Sequence, residues 1–121
     1  MKILLVDDEK IKRIKMARFL KSKGLKVEEA INGIDAINKL KKAKYDLLVI
    51  DHIMPKLTGI DACKIIKNNK MAPQMKIIIL LGYGGAEDYP ELEILQIDKA
   101  LSKPIKPEDL ISNISQLFIK K

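Results

Sequence analysis

Only one cysteine and one histidine occur in the 121 residues. A lone Cys63 forms no intramolecular bridge, so a disulfide scaffold is excluded and a reducing compartment is expected. Inside an expected helix, Cys63 reads as a small apolar core residue. His52 has no second histidine and no cysteine near it, and reads as a packing or surface residue rather than a metal ligand. Long apolar runs are missing too, none approaching the ~20 residues of a membrane span. Met1-Lys2 leads straight into a short apolar run and then acids, so no signal pattern is present. Repeats, linkers and low-complexity tracts are absent. With no disulfide or metal required, a chain of this size still buries roughly two-thirds of its unfolded surface. The expectation is one soluble, cytoplasmic domain spanning residues 1–121.

The net charge of +7 looks like a nucleic-acid signal until its location is considered. Eight basic groups and no acid fall between residues 10 and 26: Lys10, Lys12, Arg13, Lys15, Arg18, Lys21, Lys23 and Lys26. The remainder is close to neutral, so one element carries the whole excess. Two readings stand: a solvated helix face, or a docking face for an acidic partner. Direct DNA binding would need a recognition element such as a helix-turn-helix, and none stands out.

Apolar runs alternate with helix-like stretches five times. Ile3–Val6 reads as a buried strand, followed by a helix to about Lys23 that Gly24 stops. The apolar pattern of this helix is smeared, since Met16, Phe19 and Leu20 share a face while Ile11 and Ile14 fit it poorly. Leu25–Ala30 reads as the second strand and Asn32-Gly33 as a turn. Ile34, Ile37 and Leu40 have helical spacing. Leu47–Ile50 is a third strand closing at Asp51. Pro55 and Gly59 bracket a loop before a helix to about Asn69. Lys76–Leu81 is the fourth strand and Ala100-Leu101 a short fifth. Pro107 opens a last helix carrying Leu110, Ile114 and Leu117 on one face. Gly84, Gly85 and Pro90 should break whatever helix lies between Gly82 and Glu91. Such alternation implies an α/β fold, a parallel sheet covered on both faces.

In an open α/β sheet, ligands bind beyond the carboxyl ends of the strands, where the strand order reverses. Asp7 and Asp8 end the first strand, and Asp51 ends the third. If those strands are neighbours, three carboxylates share one crevice and repel, raising at least one pKa. A hard divalent cation relieves that, and Mg²⁺ is typically held by one or two carboxylates plus a substrate phosphate. Taken singly, Asp8 reads as a helix cap and Asp51 as a strand end. Lys103 after the fifth strand changes the balance, because a lysine there neutralises a phosphoryl oxygen as a point charge. Asp51 then reads as a nucleophile forming an aspartyl phosphate.

Three segments carry a resemblance: Leu4-Leu5-Val6-Asp7-Asp8-Glu9, Leu48-Val49-Ile50-Asp51-His52-Ile53-Met54-Pro55-Lys56-Leu57-Thr58-Gly59, and Leu101-Ser102-Lys103-Pro104. In order and spacing they resemble the response-regulator receiver family of two-component signalling, over essentially the whole chain. The resemblance implies a flavodoxin-like, doubly wound, five-stranded parallel sheet of order 2-1-3-4-5, with helices on both faces. It implies that Asp7, Asp8 and Asp51 serve a Mg²⁺ (or Mn²⁺) ion, with Asp8, Asp51 and the backbone carbonyl of Ile53 as direct ligands. Asp51 would be the phosphoacceptor and Lys103 the contact to the phosphoryl group. The implied donor is a histidine kinase or histidine phosphotransfer protein, and a downstream protein receives the signal. The chain would be a phosphoryl acceptor rather than an enzyme, with neither nucleic acid nor membrane as a direct partner. Lys103-Pro104 is a candidate cis peptide.

The chain departs from that family at two positions. Receivers usually place Ser or Thr at the end of the fourth strand, and the matching residue here is Leu81, which has no donor. The aromatic residue usual in the fifth strand is Ala100. Either phosphorylation survives and its consequence is rewired through Gly82 and the Gly84–Pro90 segment, or the domain is a degenerate receiver that acts by binding alone. Ile53 and Tyr83 occupy the positions that flank the attacking water in this family. Neither orients water, which implies slow self-dephosphorylation. Tyr83 and Tyr89 flank the irregular segment, as part of an output surface or in ordinary packing. A phosphatase with an aspartyl-phosphate intermediate would commonly carry a second Asp at the position of Ile53. Flavin binding would need a phosphate-cradling loop after the first strand, where this chain has acids.

Overall fold

The most apolar runs become the central strands, because a parallel sheet is buried on both faces and its middle strands meet no water. The computed structural model describes residues 1–119. Its elements are β1 (Lys2–Val6), α1 (Lys10–Ser22), β2 (Lys26–Ala30), α2 (Gly33–Lys42), β3 (Leu47–Asp51), α3 (Gly59–Asn68), β4 (Lys76–Leu81), a 3₁₀ turn (Ala86–Asp88), α4 (Glu91–Ile94), β5 (Lys99–Ser102) and α5 (Pro107–Phe118). All strands are parallel, in the order β2-β1-β3-β4-β5. The flavodoxin-like arrangement implied by the resemblance is therefore the one observed. Lys120 and Lys121 lie outside the described residues.

Strand alternation divides the apolar residues between two cores. Leu4, Val6, Leu48, Ile50, Ile77 and Ile79 face one side and pack with Ala36 and Ile37 of α2, Ile60, Cys63 and Ile66 of α3, and Leu92 of α4. Ile3, Leu5, Leu47, Val49, Ile78 and Leu80 face the other and pack with Ala17 and Leu20 of α1 and Leu110 and Ile114 of α5. Every residue of β3 is buried. Cys63 sits in the first core, where burial pushes its thiol up to about 12. The thiolate is the reactive form, so a thiol reagent at pH 8 should label the native protein far more slowly than protein unfolded in denaturant. Equal rates would show that this core opens readily.

Several local expectations are refined. Asn32 lies in the bend between β2 and α2 and also caps the helix, its side chain accepting from the Asp35 amide at 2.8 Å. Thr58 caps α3 in the same way, accepting from the Asp61 amide at 3.1 Å. Gly24 ends α1 at φ +87°, a conformation that glycine adopts without penalty. The smeared pattern of α1 has a specific cause, because the residues it buries are Arg13, Ala17 and Leu20. A cation occupies one position of the core-facing stripe. The segment after β4 is broken as expected, with only four residues in α4. Among the described residues, no helix is long and apolar enough to cross a membrane.

Candidate functional site

Val6 lies opposite Ile50 in the sheet, so the residues that follow them emerge side by side at the carboxyl edge. One carboxylate oxygen from each of Asp7, Asp8 and Asp51 falls within 4.8 Å of the others. Asp51 is almost fully buried, Asp7 half-buried and Asp8 exposed. The cap reading of Asp8 does not hold, since Glu9 occupies the N-cap of α1 and makes no side-chain cap bond. Asp7 instead accepts from the Glu9 amide at 2.9 Å. Burial is the main cause of an upward shift at the Asp7 carboxyl, and the neighbouring charge of Asp51 adds to it, outweighing the Glu9 hydrogen bond and the Lys103 charge.

Lys103 closes the crevice from the far side. Its Nζ donates to Asp51 Oδ2 at 2.7 Å, reached across the end of β4. The Lys103 amide donates to the Leu81 carbonyl at 2.8 Å, which ties the turn after β5 to β4. Burial alone would lower the Lys103 pKa, but the Asp51 hydrogen bond and charge outweigh it and the net shift is upward. The ammonium is therefore held in its charged form beside the acids. The Lys103-Pro104 peptide is cis.

The loop after Asp51 is held from three directions. The Ile53 amide donates to Asp51 Oδ1 at 3.3 Å. His52 Nδ1 accepts from the Ile60 amide at 3.3 Å, and its ring meets Tyr89 edge-on with centroids 5.2 Å apart. His52 is thus a packing residue, and burial lowers its pKa against the pull of Asp51, Asp61 and Glu91. Ile53 is exposed at the mouth of the site, and its Cδ1 occupies the space a Cβ on Gly82 would take, 2.6 Å from it. Tyr89 also donates to the Tyr83 carbonyl at 3.2 Å.

Leu81 is buried in the core beneath α3 and α4, with half-buried Ala100 packed against the same cluster. The nearest hydroxyl at the end of the neighbouring strand is Ser102, which donates to the Gly84 carbonyl at 3.2 Å. Beside the acids lies a cleft of about 630 Å³ lined by Leu5, Met16, Leu80 and Ile105 below and by Lys12 and Lys15 at its rim. Sequence reasoning missed one residue of this region. Arg13, counted there among the exposed cations of α1, is buried and bonded to Asp7 and Glu29. Its signal was the spacing Arg13, Ala17, Leu20, one helical face shared with two core residues. The exposed cations of α1 are Lys10, Lys12, Lys15, Arg18 and Lys21.

A flavodoxin-like sheet with acids and a lysine converging at its carboxyl edge defines a class of α/β proteins with an acidic crevice. The Response regulator receiver domain family matches residues 3–115, and the chain belongs to it. Protein PilG of Pseudomonas aeruginosa is 32% identical over 114 residues, covering 94% of this chain and 84% of that protein. Transcriptional regulatory protein ResD of Bacillus subtilis is 33% identical over 117 residues, 97% of this chain, which spans about half (48%) of that relative. The structure of Vibrio cholerae chemotaxis response regulator CheY4 superimposes with a TM-score of 0.89 at 28% identity, covering 97% of this chain and 98% of the other. The chain is a receiver domain of the kind found in two-component response regulators.

Proposed function

We propose that Asp51 accepts a phosphoryl group in the presence of Mg²⁺ or Mn²⁺, and that Lys103 stabilises that group as it arrives. The observation that carries this reading is the Lys103 ammonium, 2.7 Å from Asp51 Oδ2, inside a cluster of three carboxylates. A structural ion pair needs one acid; the two further acids leave a deficit of positive charge that a divalent cation fills. All the side-chain donors are carboxylate oxygens, the hard ligands these ions prefer. Asp8, Asp51 and the backbone carbonyl of Ile53 would hold the ion, with Asp7 behind them. When bound, it neutralises charge on the phosphoryl oxygens.

An Asp51 oxygen attacks phosphorus, the bond from phosphorus to the donor breaks, and the donor leaves with the bonding electron pair. From a phosphohistidine the leaving group is imidazole; from acetyl phosphate it is acetate. A histidine kinase or histidine phosphotransfer protein is the biological donor in this reading, and the chain is an acceptor without turnover. Mass spectrometry after incubation with acetyl phosphate and Mg²⁺ tests it. A single phosphoryl adduct is expected, absent without metal and absent in Asp51→Asn. No adduct from acetyl phosphate or from a cognate kinase would favour the binding-only reading, to which Leu81 and Ala100 point.

The phosphoryl group should be long-lived. Ile53 covers Gly82 at the mouth of the site, and exposed Tyr83 follows. Neither side chain presents an amide or carboxylate to orient a water molecule. Ile53→Asn should shorten the half-life, and a wild-type half-life of only seconds would overturn the idea.

A further inference from the structure

The backbone between Asp7 and Asp8 carries both carboxylates, so whatever anchors that backbone limits where the two side chains can start from. The carbonyl of that peptide accepts from Arg13 Nη1 at 2.9 Å. The same guanidinium donates through Nε to Glu29 Oε1 at 3.0 Å, with the two side chains 10% and 29% exposed. Glu29 lies on β2 and is itself anchored, because Lys39 of α2 donates to its backbone carbonyl at 2.6 Å and to Asp35 Oδ2 at 3.2 Å. The Asp7 amide is held as well, donating to the Ala30 carbonyl at 3.2 Å. The Asp7–Asp8 peptide is thus clamped to β2 and α1.

We propose that Arg13, charge-balanced by Glu29, is a positioning residue that sets the Asp7–Asp8 peptide for divalent-cation binding. The role rests on the metal-site reading above. A bare guanidinium so close to a cation site would repel the incoming ion. Glu29 cancels that charge, so the pair orients the carbonyl without opposing the metal. Arginine suits the task because its planar fork reaches two acceptors at once, which an ammonium does not do in fixed geometry. Partners that orient metal ligands from outside commonly change metal affinity by about 10–100-fold when removed.

The test is isothermal titration of the full chain with Mg²⁺ alone, comparing wild type with the double variant Arg13→Met/Glu29→Gln. The double variant removes opposite charges together, so the net charge near the site is unchanged and only the clamp is lost. Replacing both partners of such a pair by groups of similar volume is commonly tolerated by the fold. Val27→Ala, a core truncation on β2 away from the acids, serves as a control for lost stability. Expected is about a tenfold weaker dissociation constant for Mg²⁺ in the double variant, wild-type affinity in Val27→Ala, and partial recovery with Arg13→Lys/Glu29. Mg²⁺ affinity within twofold of wild type in a folded double variant would overturn the role. So would an equal loss in Val27→Ala, which would trace the effect to stability. A wild-type protein that binds no Mg²⁺ would overturn the metal-site reading and this role together, whereas a wild type that binds Mg²⁺ but gains no phosphoryl group leaves the role standing and removes only the acceptor reading.

Discussion

Replacing Lys103 by methionine will move metal binding and phosphoryl uptake in opposite directions. The ammonium sits 2.7 Å from Asp51 Oδ2 and close enough to Asp7 for its charge to oppose the upward shift of that carboxyl. It competes with a cation for the same oxygens. Its removal should tighten Mg²⁺ binding by about tenfold, equivalent to about 1.4 kcal/mol. The phosphoryl group then arrives without its fixed positive partner. Loss of one preorganised stabilising group of this kind costs about 10²–10³ in rate, so adduct formation from acetyl phosphate at saturating Mg²⁺ should fall by at least that lower factor. Without metal, the variant should also be less stable than wild type by about 1–2 kcal/mol, less than a fully buried pair loses because the ammonium is partly solvated. Added Mg²⁺ should recover most of that loss, visible as a larger rise in Tm than in wild type. If metal affinity and phosphoryl uptake fell together, Lys103 would be holding the site's shape rather than supplying charge.

The sheet was legible because its strands are continuous apolar runs of four to six residues separated by helical spacings, a pattern with little competing interpretation. The gathering of the candidate site residues was legible for a related reason. Asp7, Asp8, Asp51 and Lys103 each stand at the end of such a run, and a parallel sheet places all those ends along one edge. Resemblance added the strand order and the assignment of roles. What stayed illegible depends on contacts between distant segments. Arg13 looks like its basic neighbours in a row of lysines, and only the packing of α1 on β2 shows that it faces inward to Glu29. Asn32 and Thr58 act as caps through amides three residues on; Asn32-Gly33 reads as a turn alone until the following helix is fixed. Residues 86–94 are irregular because Gly84, Gly85 and Pro90 deny them a long helix, which the sequence does announce. That Tyr89 folds back on His52 was not announced, since an edge-on aromatic contact has no spacing rule.

Gly59→Ala should lower both stability and phosphoryl uptake, whereas the matching change at Gly33 should do neither. Both Gly33 and Gly59 are the first residues of a helix, each just after a capping side chain. In a helix, alanine is favoured over glycine by about 1 kcal/mol, so by propensity both substitutions should stabilise. Surroundings separate them. A Cβ on Gly33 meets the terminal Cδ2 of Leu57 at 2.8 Å, a side-chain end that can rotate away, and the Ala62 Cβ at 3.3 Å, which calls for a shift of only a few tenths of an ångström. A Cβ on Gly59 meets the Asp51 carbonyl oxygen at 2.6 Å and the His52 Cα at 2.8 Å, which are backbone atoms with nowhere to go. The Gly59 amide also donates to the His52 carbonyl at 2.9 Å, so α3 is bonded to the very segment the methyl group would push. Relief requires moving α3 or moving Asp51. Overpacking of this sort costs about 1–3 kcal/mol, enough to cancel the propensity gain and reverse it. Displacing Asp51 by a fraction of an ångström also spoils its alignment with Lys103 and the other acids, so phosphoryl uptake should drop about 10²-fold. Gly33→Ala should keep wild-type uptake and a Tm within a few degrees. Thermal unfolding and adduct formation measured on the two variants decide the matter: if Gly59→Ala matched Gly33→Ala in both, the close approach of α3 to the end of β3 would have no part in holding the acceptor.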